Sequence, residues 1–166
     1  MRRRRMLTVP TIKTVWLSRS VVRALMRLAT EHHPYEVGGL VAGYLNDEAA
    51  VVTEMVGPGP LAKHQHDTFL PDRAYQTERM HSLFRASGGR TVYLGDWHTH
   101  PEGPSILSPL DKKTMRVIAN SPEANCTNPL MILLSSDGAD WKLRAFRLRN
   151  AIGRSIQVTE ILVRYF

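Results

Sequence analysis

The sequence WHTHPEGPSILSPLD, residues 97–111, contains a strand end, a helix start and three side chains that can bind one metal ion. His98 and His100 stand two residues apart near the end of a predicted strand, so both imidazoles project to the same side. Pro101 then stops the strand because its nitrogen cannot donate a hydrogen bond. Asp111 adds a carboxylate oxygen eleven residues after His100. Two nitrogens, one oxygen and an open fourth position describe a catalytic rather than a structural zinc site.

Ser108 and Asp111 also have the spacing of a helix start. The side chain of Ser108 can cap the first turn, Pro109 suits the first helical position, and Asp111 can return a hydrogen bond to the capping backbone. These residues predict a helix over residues 108–120. The capping and metal-binding interpretations are compatible, because a serine that caps a helix can still present its hydroxyl to a bound carbonyl group.

Hydrophobic periodicity predicts interspersed strands and helices along the chain. Strands are predicted at 11–17, 40–45, 49–56, 91–98, 130–135, 141–148 and 160–165, and helices between 18 and 34, between 72 and 87, and over 108–120. Residues 57–71 are predicted as a long loop, and such loops in compact domains are generally functional or mobile. The order of elements predicts an α/β (α+β) domain with a mixed sheet.

Length and composition predict one globular domain. A chain of 166 residues buries enough surface to fold without disulfides, and its 43% hydrophobic and 22% charged residues exclude wholesale disorder. The net charge of +7 includes the four arginines Arg2–Arg5, without which it would be 7 − 4 = +3. We therefore expect a basic, flexible N-terminus over residues 1–10, with contact to nucleic acid or an acidic surface as the alternative, and a domain over residues 11–166.

The apolar stretches and the cysteine content predict a cytoplasmic protein. The longest uninterrupted apolar stretch, residues 130–134, is too short to span a bilayer, and polar residues interrupt the segment after the arginines. We therefore expect neither a membrane span nor a secretion signal. Cys126 is the single cysteine, which excludes an internal disulfide and fits a reducing compartment.

The positions of the basic residues in and just after the predicted strand at 141–148 indicate which face of the strand each side chain occupies. Lys142 and Arg144 occupy even positions, whereas Arg147 and Arg149 occupy odd positions. Strict alternation would place the two pairs on opposite faces. We expect a one-residue bulge near residues 145–146, because it would restore a single polar face. The alternative, a strand buried on neither side, is disfavoured by the apolar side chains of the same segment.

The pattern as a whole resembles the signature of a known enzyme family. The sequence His98-Thr99-His100, seven residues and Ser108-x-x-Asp111 is similar to the JAMM motif of the MPN-plus (JAB, Mov34/PAD-1-like) metallopeptidases. That motif is a glutamate, a variable gap, His-Ser/Thr-His, seven residues and Ser-x-x-Asp. Glu36 matches the upstream acid, and Glu31 is the next candidate. The resemblance covers about residues 18–148.

This resemblance implies a fold and a set of roles. The family fold is a mixed curved β-sheet flanked by helices, with a cytidine-deaminase-like architecture. By analogy with the family, His98, His100 and Asp111 bind one zinc ion per chain. Glu36 then holds the attacking water, and Ser108 donates a hydrogen bond to the oxyanion. The implied reaction is hydrolysis of a peptide or isopeptide bond without a covalent intermediate.

The compact chain, with residues 93–97 leading into the motif, is similar to the prokaryotic JAB proteins, which include deconjugating peptidases of CBASS-type antiphage operons. This similarity implies a ubiquitin-like protein or its conjugates as substrate, and ubiquitin-activating or ubiquitin-conjugating-like enzymes as partners. Three alternatives stay open: a peptidase that processes a sulfur-carrier protein, a non-catalytic MPN scaffold, and a RadC-like protein associated with nucleic acid. The retained ligand residues disfavour the scaffold. We expect neither a membrane nor a nucleic-acid partner.

Other residues with chemical potential are left out of the predicted site. His64-Gln65-His66 is a second His-x-His without an acid at the family spacing, and we expect it to be exposed, with substrate contact as the alternative. Asp96 shares a face with His98, so it is either a solvated strand residue or a residue that orients an imidazole. Cys126 has no histidine at a spacing typical of a thiol nucleophile, which disfavours a cysteine peptidase.

Overall fold

Three helices and nine strands occur in the described part of the chain. This computed structural model describes residues 12–138, 140–152 and 155–166, and for residues 150–152 and 155 only the backbone. The elements are, in chain order, β1 (Thr14–Leu17), α1 (Arg19–His32), β2 (Gly38–Leu45), β3 (Ala49–Val56), β4 (Lys63–His64), β5 (Phe69–Leu70), α2 (Arg73–Ala86), β6 (Val92–His100), α3 (Pro109–Ala119), β7 (Leu130–Ser136), β8 (Trp141–Ile152) and β9 (Ser155–Tyr165). The predicted basic N-terminus, residues 1–10, lies outside the described residues.

β7 contains the longest apolar run of the sequence, residues 130–134, and it is buried on both faces. Its even-numbered apolar side chains belong to the core that contains the buried face of α1. Its odd-numbered side chains Met131 and Leu133 belong to a second core, which also contains Met115 of α3. Each fully buried aliphatic side chain of this kind contributes about 1.5–3 kcal/mol. Helices therefore flank the sheet on both sides, as predicted.

Seven of the strands form one mixed sheet that closes into a barrel, in the order β1-β3-β2-β6-β7-β8-β9. β1 completes the barrel because it pairs in parallel with both β3 and β9. β6 and β7 also pair in parallel, and the remaining neighbours are antiparallel. The predicted mixed, curved sheet is confirmed, and its closure is a further finding. β4 and β5 form a separate two-stranded sheet within the predicted loop at 57–71.

The helices begin at polar residues that the sequence indicates. At the start of α1 the Ser18 side chain accepts a hydrogen bond from the N–H of Val21, and at the start of α2 Asp72 accepts one from Tyr75. Each cap satisfies an N–H group of the first turn that has no partner within the helix. No helix among the described residues has the length and apolar character needed to span a bilayer.

The predicted bulge near residues 145–146 is wrong. β7 and β8 stay in continuous register along the whole pair. Arg147 therefore lies on the face opposite to Arg144, where it is 7% exposed and its Nε donates a hydrogen bond to the backbone oxygen of Asn128. The irregularity lies just after Leu148, in the pairing of β8 with β9. A buried arginine is tolerated here because the segment between α3 and β7 supplies a carbonyl acceptor.

Gly95 lies opposite Leu130, where β6 packs tightly against β7. Its φ of 150° lies in a region that favours glycine, and a Cβ atom there would lie 2.1 Å from the backbone oxygen of Leu130. We expect Gly95→Ala to destabilise the fold by about 3 kcal/mol and to lower the melting temperature by roughly 10 °C. Gly57→Ala is the matched control, because the nearest atom to its added Cβ would be Leu28 Cδ1 at 3.7 Å. Equal melting temperatures for the two variants would contradict this geometry.

Candidate metal centre

The end of β6 holds both histidines of the motif. His98 lies opposite Leu133 of β7, and the strand ends at His100, directly before Pro101. α3 then begins nearby and brings Asp111 of its first turn to the two imidazoles. The histidine side chains are 10% exposed and the Asp111 side chain is 14% exposed. The structure therefore brings together the three residues that the sequence predicts as ligands.

The side chains of His98, His100 and Asp111 form a small triangle. The Nε2 atoms of His98 and His100 are 3.0 Å apart. The Nε2 of His98 is 3.2 Å from Asp111 Oδ1, and the Nε2 of His100 is 3.4 Å from Asp111 Oδ2. A tetrahedral ion with bonds of about 2.0–2.1 Å separates its ligand atoms by about 3.3 Å. The three closest contacts, in which each imidazole faces a different Asp111 oxygen, are close to this value. Among the described residues, no other group of three histidine, cysteine or acidic side chains could bind an ion together.

The second nitrogen of each imidazole is held by a neighbouring group. His100 Nδ1 is 3.1 Å from the backbone oxygen of Pro104, which keeps the proton on Nδ1 and leaves the Nε2 lone pair for a metal bond. His98 Nδ1 is 3.2 Å from the sulfur of Met131, a weak acceptor. These contacts therefore orient both rings before an ion binds. A preorganised metal site requires ligands that neighbouring groups hold in this way.

The charges of the cluster compensate one another. Burial disfavours the charged form of Asp111, but hydrogen bonds from His100 and His98 outweigh it and hold the pKa of the carboxyl far below its usual range. Burial also opposes a charge on His100, but its hydrogen bonds to Asp111 and to the Pro104 carbonyl raise the pKa of the imidazole. In the absence of an ion the cluster therefore holds protons. Because a metal ion displaces them, its binding strengthens as the pH rises.

Ser108 and Asp111 form both hydrogen bonds of a capping box. Ser108 Oγ accepts from the N–H of Asp111 at 3.1 Å, and Asp111 Oδ2 accepts from the N–H of Ser108 at 2.6 Å. The capping interpretation is confirmed, and the same carboxylate also faces the histidines. Ser108 uses only an oxygen lone pair in the cap, so its O–H can still donate. In this structure the hydroxyl faces the Asp111 carboxylate, and this side-chain hydrogen bond helps to lower the pKa of Asp111.

Glu36 lies between α1 and β2, within electrostatic reach of the cluster. Burial raises the pKa of its carboxyl, whereas the positive charges of His98 and His100 lower it. The net result is a raised pKa, which makes the carboxylate a better proton acceptor than an exposed glutamate. Glu31, the other candidate acid, instead pairs with Arg27 on the exposed side of α1 at 3.5 Å. Of these two acids, Glu36 is the one with an electrostatic interaction with the cluster, and its role as the acid of the site stays a prediction.

The backbone around Glu36 is held from two sides. On the loop side, its N–H donates to the backbone oxygen of Gln65 at 2.7 Å, and its backbone oxygen lies 2.8 Å from His64 Nδ1. On the β6 side, Thr99 Oγ1 accepts from the N–H of Val37 at 3.0 Å, and the N–H of Thr99 donates to the backbone oxygen of Val37 at 2.9 Å. Sequence reasoning missed this role of Thr99. The Ser/Thr position between the two histidines of the motif was the signal for it.

The prediction that His64-Gln65-His66 is exposed is correct for His66 and wrong for His64. His66 packs on Tyr35 at the surface, with ring centroids 4.8 Å apart. His64 is half-buried, because its ring lies near those of His32 and Phe69. Long-range contacts of this kind have no local signature in the sequence.

Two further residues are paired or buried outside the cluster. Asp96 accepts a hydrogen bond from the hydroxyl of Tyr93 at 2.6 Å, and no hydrogen bond joins it to His98 in the described part of the chain. Burial raises the pKa of the Cys126 thiol to about 11, so little thiolate exists at neutral pH. This agrees with the prediction that the chain is not a cysteine peptidase.

Related proteins identify the family. Residues 18–149 match the family described as prokaryotic homologs of the JAB domain. The chain belongs to the prokaryotic JAB family. JAB domains of this kind are metallopeptidases, so the predicted family and enzyme class are confirmed.

Individual relatives of this JAB-family chain agree with that class. A probable metalloprotease of Sinorhizobium fredii is 38% identical over 131 residues, which are 78% of this chain and 80% of that protein. A CD-NTase/cGAS isopeptidase of Escherichia coli is 30% identical over 110 residues, which are 65% of this chain and 70% of that protein. The solution structure of a protein from Desulfitobacterium hafniense has a similar fold, with a TM-score of 0.69, 20% identity and 92% of each chain covered.

Thr99→Val removes the hydroxyl that holds the Val37 N–H but keeps the shape of the side chain. The buried N–H left without a partner should cost about 1–3 kcal/mol of stability. Metal content, measured by atomic emission, should stay at the wild-type level, because both histidines project from the opposite face of β6. The peptidase rate should fall because Glu36 loses its fixed position. Thr99→Ser restores the hydroxyl and should restore the rate; a Thr99→Val protein with the wild-type rate would show that this bond does not position Glu36.

Proposed function

We propose that this chain is a zinc-dependent peptidase that hydrolyses the peptide or isopeptide bond at the C-terminus of a ubiquitin-like protein or its conjugates. The observation that carries the proposal is the triangle of His98, His100 and Asp111, with Glu36 within electrostatic reach of it. Zinc is favoured because imidazole nitrogens provide two of the three ligands, whereas magnesium and calcium select oxygen ligands.

Each residue of the candidate site has a separate role in this reaction. His98, His100 and Asp111 would hold a zinc ion, which would supply a water molecule with a pKa of about 7 and polarisation of the substrate carbonyl. The Glu36 carboxylate accepts a proton from the water and returns it to the leaving amine nitrogen. The Ser108 hydroxyl donates a hydrogen bond to the carbonyl oxygen as negative charge develops there. In this scheme no side chain forms a covalent bond with the substrate.

A groove of about 1180 Å³ between α2 and α3 supports a polypeptide substrate. Its walls include Asp96 and Leu110, which lie within two residues of the candidate ligands. Exposed apolar side chains of both helices, Phe84 and Val117, line it together with residues 121–128. None of the candidate ligands lines the groove, so in this proposal it binds a part of the substrate protein away from the cleaved bond.

The names of the relatives support the proposed substrate class and suggest the biological process in which the chain acts. The Escherichia coli relative is named an isopeptidase, and an isopeptidase acts on a protein conjugate. Its name also refers to CD-NTase/cGAS enzymes, which supports a role for this chain in bacterial antiviral defence beside ubiquitin-activating or ubiquitin-conjugating-like enzymes. The single, unpaired Cys126 supports action in the cytoplasm.

The test is cleavage of a panel of ubiquitin-like and sulfur-carrier fusions by zinc-loaded protein, with and without a chelator. We expect cleavage of a ubiquitin-like fusion that stops with chelator and returns with zinc. In Glu36→Gln the amide cannot accept a proton, so the rate should fall by about a hundredfold or more while zinc content and melting temperature stay near wild type. Ser108→Ala should lose about 3 kcal/mol of transition-state stabilisation and about 1 kcal/mol of folding stability.

Three results would count against this function. Cleavage that a chelator leaves unchanged would exclude the metal. A Glu36→Gln protein with the wild-type rate would show that another group moves the proton. Cleavage of the sulfur-carrier fusion alone would assign the same chemistry to carrier processing.

A further inference from the structure

Two histidines outside the candidate metal centre form a second close pair. The ring centroids of His32, in the last turn of α1, and His64, in β4, are 4.4 Å apart, and the ring planes are tilted by 46°. In the candidate metal centre the rings of His98 and His100 are 4.8 Å apart and tilted by 61°. The second pair therefore has nearly the ring separation of the two candidate ligands.

Each ring of the second pair is anchored through Nδ1. His32 Nδ1 is 2.9 Å from the backbone oxygen of Leu28, and His64 Nδ1 is 2.8 Å from the backbone oxygen of Glu36. Because a carbonyl oxygen only accepts, each Nδ1 carries the proton and each Nε2 keeps its lone pair. Within the described ranges neither Nε2 atom has a hydrogen-bond partner. This is the arrangement in which histidine binds a metal ion, with one nitrogen held by the protein and the other available.

We propose that His32 and His64 bind a second, exchangeable transition-metal ion through their Nε2 atoms. Two imidazoles select zinc, copper or nickel over magnesium and calcium. His32 lies at the C-terminal end of α1, where the helix dipole favours a cation. Only two side chains bind this ion and water completes its coordination, so it is held more weakly than an ion with three protein ligands.

An ion at this site connects two parts of the structure. It joins the end of α1 to β4 in the loop at 57–71, and the Nδ1 of His64 already holds the backbone oxygen of Glu36. Its binding therefore restricts the loop that supports the acid of the candidate metal centre. The inference does not depend on the proposed function, because its test measures bound metal and not cleavage.

The experiment is equilibrium dialysis of the full chain, already loaded with one equivalent of zinc, against increasing concentrations of zinc chloride. Bound zinc is measured by atomic emission. We expect the wild-type protein to bind a second equivalent at higher free zinc, and this binding to raise its melting temperature. His32→Ala and His64→Ala should each bind one equivalent only. His32→Ala is the decisive variant, because it leaves the bond between His64 and Glu36 in place.

Neighbouring histidines provide matched controls. His33 pairs with Glu102 at 3.6 Å and His66 packs on Tyr35, so His33→Ala and His66→Ala should both retain the second equivalent. A second equivalent that persists in a folded His32→Ala protein would overturn the proposal. So would a wild-type protein that binds one equivalent only, or equal losses in all four variants, which would indicate zinc bound weakly by surface histidines in general.

Discussion

The parallel pairing of β6 with β7 determines where the candidate ligands meet. Parallel strands run in the same direction, so the chain between them must cross over from the end of one strand to the start of the next. α3 forms this crossover. Because the crossover starts where β6 ends, the first turn of α3 carries Asp111 to His98 and His100. The spacing of the sequence motif is thus the length of chain needed to leave the strand, turn and begin the helix.

Asp111 caps α3 and is also a candidate metal ligand, and one orientation of its carboxylate satisfies both roles. As the third residue of α3 it accepts a hydrogen bond from the N–H of Ser108, and the positive end of the helix stabilises its charge. As a candidate ligand it directs its oxygens to the two imidazoles. A carboxylate has about four lone-pair directions on two oxygens, so one group can serve both. The cap therefore fixes the position of a ligand, and a common local motif becomes part of the site.

The parts of this structure that depend on near neighbours in sequence could be predicted. His98 and His100 share a face because a strand alternates, Ser108 caps α3, and the apolar run at 130–134 is a buried strand. Contacts between distant segments could not. Thr99 and Val37 are 62 residues apart, and only the folded chain shows that their hydrogen bonds hold the backbone next to Glu36. The bulge expected near residues 145–146 failed for the same reason, since a distant segment covers Arg147.

The measurement that tests the central claim most directly is X-ray absorption at the zinc edge of the wild-type protein with one equivalent of zinc. The account predicts about four nitrogen and oxygen ligands at about 2.0–2.1 Å, with the multiple-scattering signature of two imidazoles. A sulfur ligand at about 2.3 Å, which would point to Cys126, would contradict the assignment of His98, His100 and Asp111. A shell made of oxygen atoms alone would contradict it as well.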